Sequence, residues 1–95
     1  PASLHYIRDK EGREVDFVVK EGLKVKELIQ VCCDLSNEET KARELRGLAE
    51  ASKELRCTNL VLITSDTDKK EELDPRFGIK AVVHYVPLWK WLLYR

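Results

Sequence analysis

The sequence contains no methionine at any of its 95 positions, and it has only three cysteines, four glycines and three prolines. It also lacks a signal-peptide pattern and any apolar run near the roughly 20 residues that a membrane-spanning helix needs. Because even position 1 is not methionine and a strand pattern begins almost at once, we expect residues 1–95 to form one domain excised from a longer protein, with no membrane partner.

An excess of charge of either sign is absent as well. Seventeen basic residues balance seventeen acidic ones, so no global field draws the chain to nucleic acid or to an anionic membrane. This balance argues against a dedicated DNA-binding protein, although it leaves room for a local basic patch. A hydrophobic content of 43% and a charged content of 36% are typical of a soluble globular domain.

The cysteines are too few and wrongly spaced for a cross-linked or zinc-bound fold. Cys32, Cys33 and Cys57 form no CxxC pair and have no histidine at ligand spacing, which argues against a disulfide framework and a structural zinc site. Reduced thiols are typical of the cytoplasm, which is the location that we expect.

Three strand patterns open the chain. The segments LHYIR (4–8), EVDFVVK (14–20) and KVKELIQVCC (24–33) alternate or are β-branched, and glycine turns separate them at Gly12 and Gly22. This spacing predicts an antiparallel meander. In the second strand the alternation places Val15, Phe17 and Val19 on one face and Asp16 on the other.

A helix is predicted at 37–56. Ser36 suits the N-cap position, and Glu39 follows it at capping-box spacing. Apolar or small residues recur at helical spacing through this segment, at Ala42, Leu45, Leu48, Ala49, Ser52 and Leu55.

The last third of the chain returns to strand patterns. NLVLIT (59–64) is nearly continuous and apolar, which is typical of a strand covered on both faces and parallel to its neighbour. We expect a polar loop with one helical turn at 65–78, a strand at 79–86 and a short helix opened by Pro87. The order βββαββα predicts an α/β sandwich with a mixed sheet.

Asp16, Gln30 and Cys32 form the candidate site. If the meander pairs their strands, the alternation brings Asp16 and Gln30 together, and carboxylate and amide oxygens are ligands that Mg²⁺ accepts. Glu14 shares the face of Asp16, so it is either a second carboxylate ligand or a solvated strand end. Cys32 is either a soft-metal ligand or, more simply, a buried thiol.

The spacing of Asp16 and Gln30-Val31-Cys32 resembles the core of the PD-(D/E)XK nucleases. The segments EVDFVV, ELIQVCCDL, ETKARELRGL, NLVLIT and VPLWKWLL are most similar to the nuclease-like domain at the C-terminal end of archaeal and bacterial AAA-type ATPases. This resemblance implies a restriction-endonuclease-like three-layer sandwich, Mg²⁺ as the cofactor, DNA as the substrate, and an ATP-binding domain upstream in the same chain.

The chain departs from the family at the catalytic lysine. The resemblance implies Glu or, in some branches, Gln at position 30, so Gln30 is a tolerable substitute that offers a neutral carbonyl oxygen. Cys32, however, stands where the resemblance implies a lysine. A thiol is a poor substitute for a cation that activates water. Lys41 on the predicted helix could replace that lysine; alternatively it lies along the apolar edge and pairs with Glu44 or Glu38.

Three functions therefore stay open. The first is a degenerate nuclease-like accessory domain that binds DNA or a partner with weak or no catalysis. The second is an active Mg²⁺-dependent endonuclease with a relocated lysine, and the third is a protein-interaction module, which could include a homo-oligomer. We expect His5 and His84 to be structural, and Trp89 to face outward as a partner contact while Trp91 helps to close the core.

Overall fold

The computed structural model describes residues 3–8 and 14–94, with side chains from residue 15 onward. These residues form a mixed α/β fold with six strands, two α-helices and one 3₁₀ turn. The strands are β1 (Ser3–Arg8), β2 (Glu14–Glu21), β3 (Lys24–Val31), β4 (Asn59–Thr64), β5 (Lys69–Glu72) and β6 (Val82–Pro87); the helices are α1 (Glu38–Leu55) and α2 (Leu88–Leu93). No helix within these ranges is long and apolar enough to cross a membrane.

The strands form one mixed sheet in the order β1-β2-β3-β4-β6-β5. The first three strands pair antiparallel, which confirms the predicted meander. β3, β4 and β6 are parallel, and α1 makes the crossover from β3 to β4 that the doubly apolar β4 segment predicts.

The predicted order βββαββα is wrong in one respect, because a further strand lies inside the predicted loop. β5 pairs antiparallel with β6 at the edge of the sheet, so the observed order is βββαβββα. Its sequence, KKEE, has no apolar alternation and therefore gives no strand signal. Charged residues suit an exposed edge, where they oppose pairing with other chains. The predicted helical turn is confirmed at Pro75–Phe77.

The start of α1 also differs from the prediction. The N-cap is Asn37, whose side chain accepts a hydrogen bond from the backbone N–H of Thr40 at 2.9 Å. Ser36 instead donates both its N–H and its hydroxyl to the Asp34 carboxylate, at 2.9 and 2.6 Å. The predicted capping box is therefore wrong, because Asp34 holds Ser36 in the turn before the helix.

Two apolar clusters cover the two faces of the sheet. α1 packs on the larger cluster through Leu45, Leu48 and Ala49. Trp91 of α2 packs against the smaller cluster on the opposite face. β4 contributes alternate residues to each: Leu60 and Leu62 to the larger cluster, Val61 and Ile63 to the smaller. This confirms that β4 is covered on both sides.

The alternation of β2 breaks near its start. Phe17 and Val19 pack against the smaller cluster, as a shared face predicts, but Val15 joins Val18 in the larger one. The predicted common face of Val15, Phe17 and Val19 is therefore wrong. The register of β1 against β2 shifts opposite this point, and such an irregularity reorients the side chains around it. Asp16 lies at this break.

Candidate functional site

The candidate site lies where the parallel strands end and α1 begins. Gln30 is the penultimate residue of β3, and Tyr85 lies two residues before the last residue of β6. In open α/β sheets, ligands bind outside the carboxyl ends of the strands. The polar side chains gathered here therefore lie where open α/β sheets usually have their ligand-binding sites.

Asp16 and Gln30 meet, and each side chain accepts a backbone N–H from the neighbouring strand. Asp16 Oδ2 accepts from the N–H of Val31 at 2.8 Å, and Gln30 Oε1 accepts from the N–H of Asp16 at 3.0 Å. The regular β2–β3 pairing runs from Phe17 and Ile29 onward. The two side chains thus replace ladder bonds where the strands separate.

A third residue, Glu44 of α1, completes this cluster. Gln30 Nε2 donates a hydrogen bond to Glu44 Oε2. The orientation of the amide is fixed chemically, since its oxygen faces an N–H donor and its nitrogen faces a carboxylate. From the sequence alone, Glu44 is expected only as a partner of Lys41. The sequence signal for a contact between Glu44 and the sheet is that Glu44 directly precedes Leu45, which lies on the apolar stripe of α1.

The three side chains are arranged as a hydrogen-bonded bridge. The Gln30 oxygen is directed at an N–H, and its nitrogen lies against the carboxylate of Glu44. Within residues 3–8 and 14–94, no three His, Cys, Asp or Glu side chains are grouped closely enough to hold a metal ion. As it stands, the amide joins the two strands to α1.

Cys32 lies beside this bridge as a buried thiol. It is 7% exposed, and its Sγ is 3.5 Å from the backbone oxygen of Asp34. Burial raises the pKa of Cys32, and the nearby negative charge of Glu44 raises that pKa further. The thiol is therefore neutral at physiological pH and offers no positive charge at the position of the implied lysine.

Lys41 is engaged by a different carboxylate from those considered in the sequence. Its Nζ lies 3.8 Å from Glu71 Oε1 on β5 and 5.7 Å from the ring centroid of Tyr85. Lys69 approaches the same groups, at 3.3 Å from Glu71 Oε2 and 5.1 Å from the same centroid. Glu44, which the sequence offered as a partner for Lys41, instead lies 4.0 Å from the Nε of Arg43.

Tyr85 and Glu71 form the centre of this second cluster. Tyr85 is fully buried, and its hydroxyl donates to Glu71 Oε1 at 2.7 Å. Burial raises the pKa of Tyr85 far above its ordinary value, while the hydrogen bond from Tyr85 lowers the pKa of Glu71. The pair is thus a neutral donor and a charged acceptor.

The remaining predicted residues lie apart or are not described. The side chains of Glu14 and His5 fall outside the described residues. His84 Nε2 lies 3.8 Å from Asp68 Oδ1, and Lys90 of α2 lies 2.7 Å from the other oxygen of Asp68. Since α2 packs on the opposite face from α1, this contact belongs to the anchoring of α2.

A cavity of about 1210 Å³ opens between α1 and the β5–β6 segment. Lys41 and Glu71 lie in its wall, and apolar groups including Leu45, Phe77 and Ile79 also line it. The carboxylate of Glu71 therefore connects the Tyr85 cluster to an open volume.

The uncharacterized protein MJ1544 of Methanocaldococcus jannaschii is similar to this chain, with 37% identity over 95 residues. The match covers 96% of this chain and 20% of the relative, so the chain spans about one fifth of that protein's length. No protein-family model matches the chain, and no solved structure matches it.

Proposed function

We propose that this chain is a nuclease-like domain that has lost catalysis and serves as a protein-binding accessory domain of a longer AAA-type ATPase. The observation that carries the proposal is the internal use of Asp16 and Gln30, whose oxygens accept backbone N–H groups. The buried thiol of Cys32 supports it, because a neutral group stands at the position of the implied lysine.

The fold is compatible with this proposal. An antiparallel meander followed by a helical crossover to a parallel strand forms a mixed sheet, which the resemblance to the restriction-endonuclease-like fold implies. α1 and α2 lie on opposite faces of the sheet, as a three-layer sandwich needs. Both features support the resemblance stated from the sequence.

The protein-binding role rests on the exposed side of α2. None of the residues of this helix is buried, and five large side chains project from it and its end. They form the α2 surface: Leu88 at 44% exposure, Trp89 at 56%, Leu92 at 65%, Leu93 at 70% and Tyr94 at 75%. Contiguous apolar groups of this kind mark interaction sites on soluble domains.

We propose the ATPase domain of the same chain as the partner. The similar archaeal protein is about five times as long as the matched segment, so a comparable protein has further domains to offer an apolar surface. Hydrogen exchange tests this assignment. Amides of residues 88–94 should exchange more slowly in the longer protein than in this chain alone, while those around the equally apolar but remote Leu23, which is 99% exposed, should not change.

Other outcomes of that measurement would point elsewhere. Protection of residues 88–94 that rises with the concentration of the chain alone would assign the surface to a second copy. Salt-sensitive protection that appears with DNA would assign the chain to nucleic acid. Equal exchange under all these conditions would contradict a docking role for α2.

A second candidate, the Mg²⁺-dependent endonuclease, is favoured by the convergence of Asp16, Gln30 and Glu44. Rotation of the amide away from Glu44 would leave two carboxylates and a carbonyl oxygen, a ligand set that Mg²⁺ accepts. Cleavage of plasmid and branched DNA with Mg²⁺ or Mn²⁺ distinguishes the two functions, with Asp16→Asn as the inactive control.

A further inference from the structure

Three donors converge on one carboxylate at the wall of the cavity. Glu71 Oε1 accepts from the hydroxyl of Tyr85 at 2.7 Å, and its Oε2 accepts from Lys69 at 3.3 Å. The ammonium of Lys41 is 3.8 Å from Oε1, which is beyond the hydrogen-bond range. The carboxylate of Glu71 therefore forms hydrogen bonds with two of these three donors and not with Lys41.

The charges of the cluster are also unequal. Two ammonium groups face a single carboxylate, so this cluster keeps one positive charge in excess. Elsewhere on the cavity wall, Asp74 pairs with Arg76 at 3.4 Å, while Glu38, Glu72 and Lys80 are exposed. A dianion with several acceptor oxygens would match the two lysines and Tyr85 better than Glu71 does.

We propose that Tyr85, Lys41 and Lys69 form a binding site for the phosphate group of a small phosphate monoester, which Glu71 occupies as an internal anion when no ligand is bound. Glu71 can leave because its side chain is 39% exposed and it lies on the edge strand β5 beside the cavity. The apolar lining by Phe77 and Ile79 then receives the organic part of the ligand.

Titration with phenyl phosphate and with inorganic phosphate, followed by ¹H–¹⁵N NMR at constant ionic strength, tests this site. Saturable shifts at Lys41, Lys69 and Tyr85 are expected with both probes. Phenyl phosphate should bind more tightly, because its ring lies on the apolar lining. Equal affinities would restrict the ligand to free phosphate and would overturn the monoester assignment.

Three variants distinguish binding at this site from a general electrostatic effect of the added anion. Lys41→Gln should weaken binding by about tenfold, since a charge-assisted contact is lost. Glu71→Gln should strengthen binding severalfold, because the neutral amide no longer competes as an anion for Lys41 and Lys69. Lys24→Gln, an exposed lysine at the start of β3, should leave binding unchanged. The proposal fails if neither the wild-type chain nor Glu71→Gln shows saturable shifts, or if Lys24→Gln weakens binding as much as Lys41→Gln.

Discussion

Asp16 and Gln30 are bound to each other's strands through reciprocal contacts. The carboxylate of Asp16 accepts the N–H of Val31 at 2.8 Å, and the amide oxygen of Gln30 accepts the N–H of Asp16 at 3.0 Å. These two side chains therefore have a structural task where β2 and β3 separate, and that task is independent of any metal.

The first prediction concerns stability. Asp16→Ala should lower the free energy of unfolding by about 1–3 kcal/mol, because it leaves the N–H of Val31 without its acceptor. Asp16→Asn keeps an acceptor oxygen and should lose much less. Urea denaturation in the absence of divalent ions measures both variants. If Asp16→Ala were as stable as Asp16→Asn, the structural role of Asp16 would be wrong.

The bridge between Gln30 and Glu44 gives a second prediction. Gln30→Glu places two carboxylates in contact and should destabilise the chain by about 1–3 kcal/mol at neutral pH. Protonation of either carboxylate removes the repulsion, so the destabilisation should fade as the pH decreases. Mg²⁺ should also reverse it, and thermal unfolding with and without Mg²⁺ is the measurement. The same stability as the wild-type chain at every pH would contradict the contact.

Glu71 gives a pH dependence of known sign. The hydrogen bond from Tyr85 holds its folded pKa below the ordinary value, so its contribution to stability is present at neutral pH and is lost as the pH falls through that folded pKa. Glu71→Gln should therefore be less stable than the wild-type chain at pH 7, and the difference should shrink below about pH 4. Glu72→Gln, its exposed neighbour on β5, is the control and should show neither effect.

The cysteines should differ in reactivity. Cys33 is exposed, whereas Cys32 and Cys57 are buried, and burial raises the pKa of Cys32. Iodoacetamide should add one label to the native chain, at Cys33, and three after unfolding. Mass spectrometry of peptides locates the labels. Rapid labelling of native Cys32 would show that its thiol is reactive and accessible.

The two tryptophans of α2 differ in burial, so their alanine variants can be compared directly. Trp89 is 56% exposed, while Trp91 packs against the smaller core cluster. Trp91→Ala should cost about 2 kcal/mol or more in unfolding free energy, and Trp89→Ala should change it by less than about 0.5 kcal/mol. Equal losses would mean that α2 is oriented differently.

Most of the fold can be predicted from the sequence, because most of its strands and helices have a regular apolar periodicity. The limits of β4 match the prediction, and the meander and the parallel crossover are confirmed. β5 gives no strand signal, because its four charged residues have no apolar alternation and its pairing depends on β6. The N-cap lies one residue after the predicted Ser36, because the Asp34 carboxylate binds Ser36.

The site was less predictable than the fold. The convergence of Asp16 and Gln30 follows from alternation and strand pairing. Their use as acceptors for backbone N–H groups depends on the separation of two strands, which no local pattern encodes. The contact with Glu44 depends on the angle at which α1 crosses the sheet, and the pairing of Lys41 depends on β5, the strand that lacked a signal.

We proposed that the site formed by Asp16, Gln30 and Glu44 does not catalyse, and DNA cleavage measures this directly. Plasmid and branched DNA are incubated with Mg²⁺ or Mn²⁺ and with the wild-type chain, Asp16→Asn or Glu44→Gln, after each variant is shown to be folded. We predict that the wild-type chain cleaves DNA no faster than Asp16→Asn. Metal-dependent cleavage that is lost in both variants would contradict it.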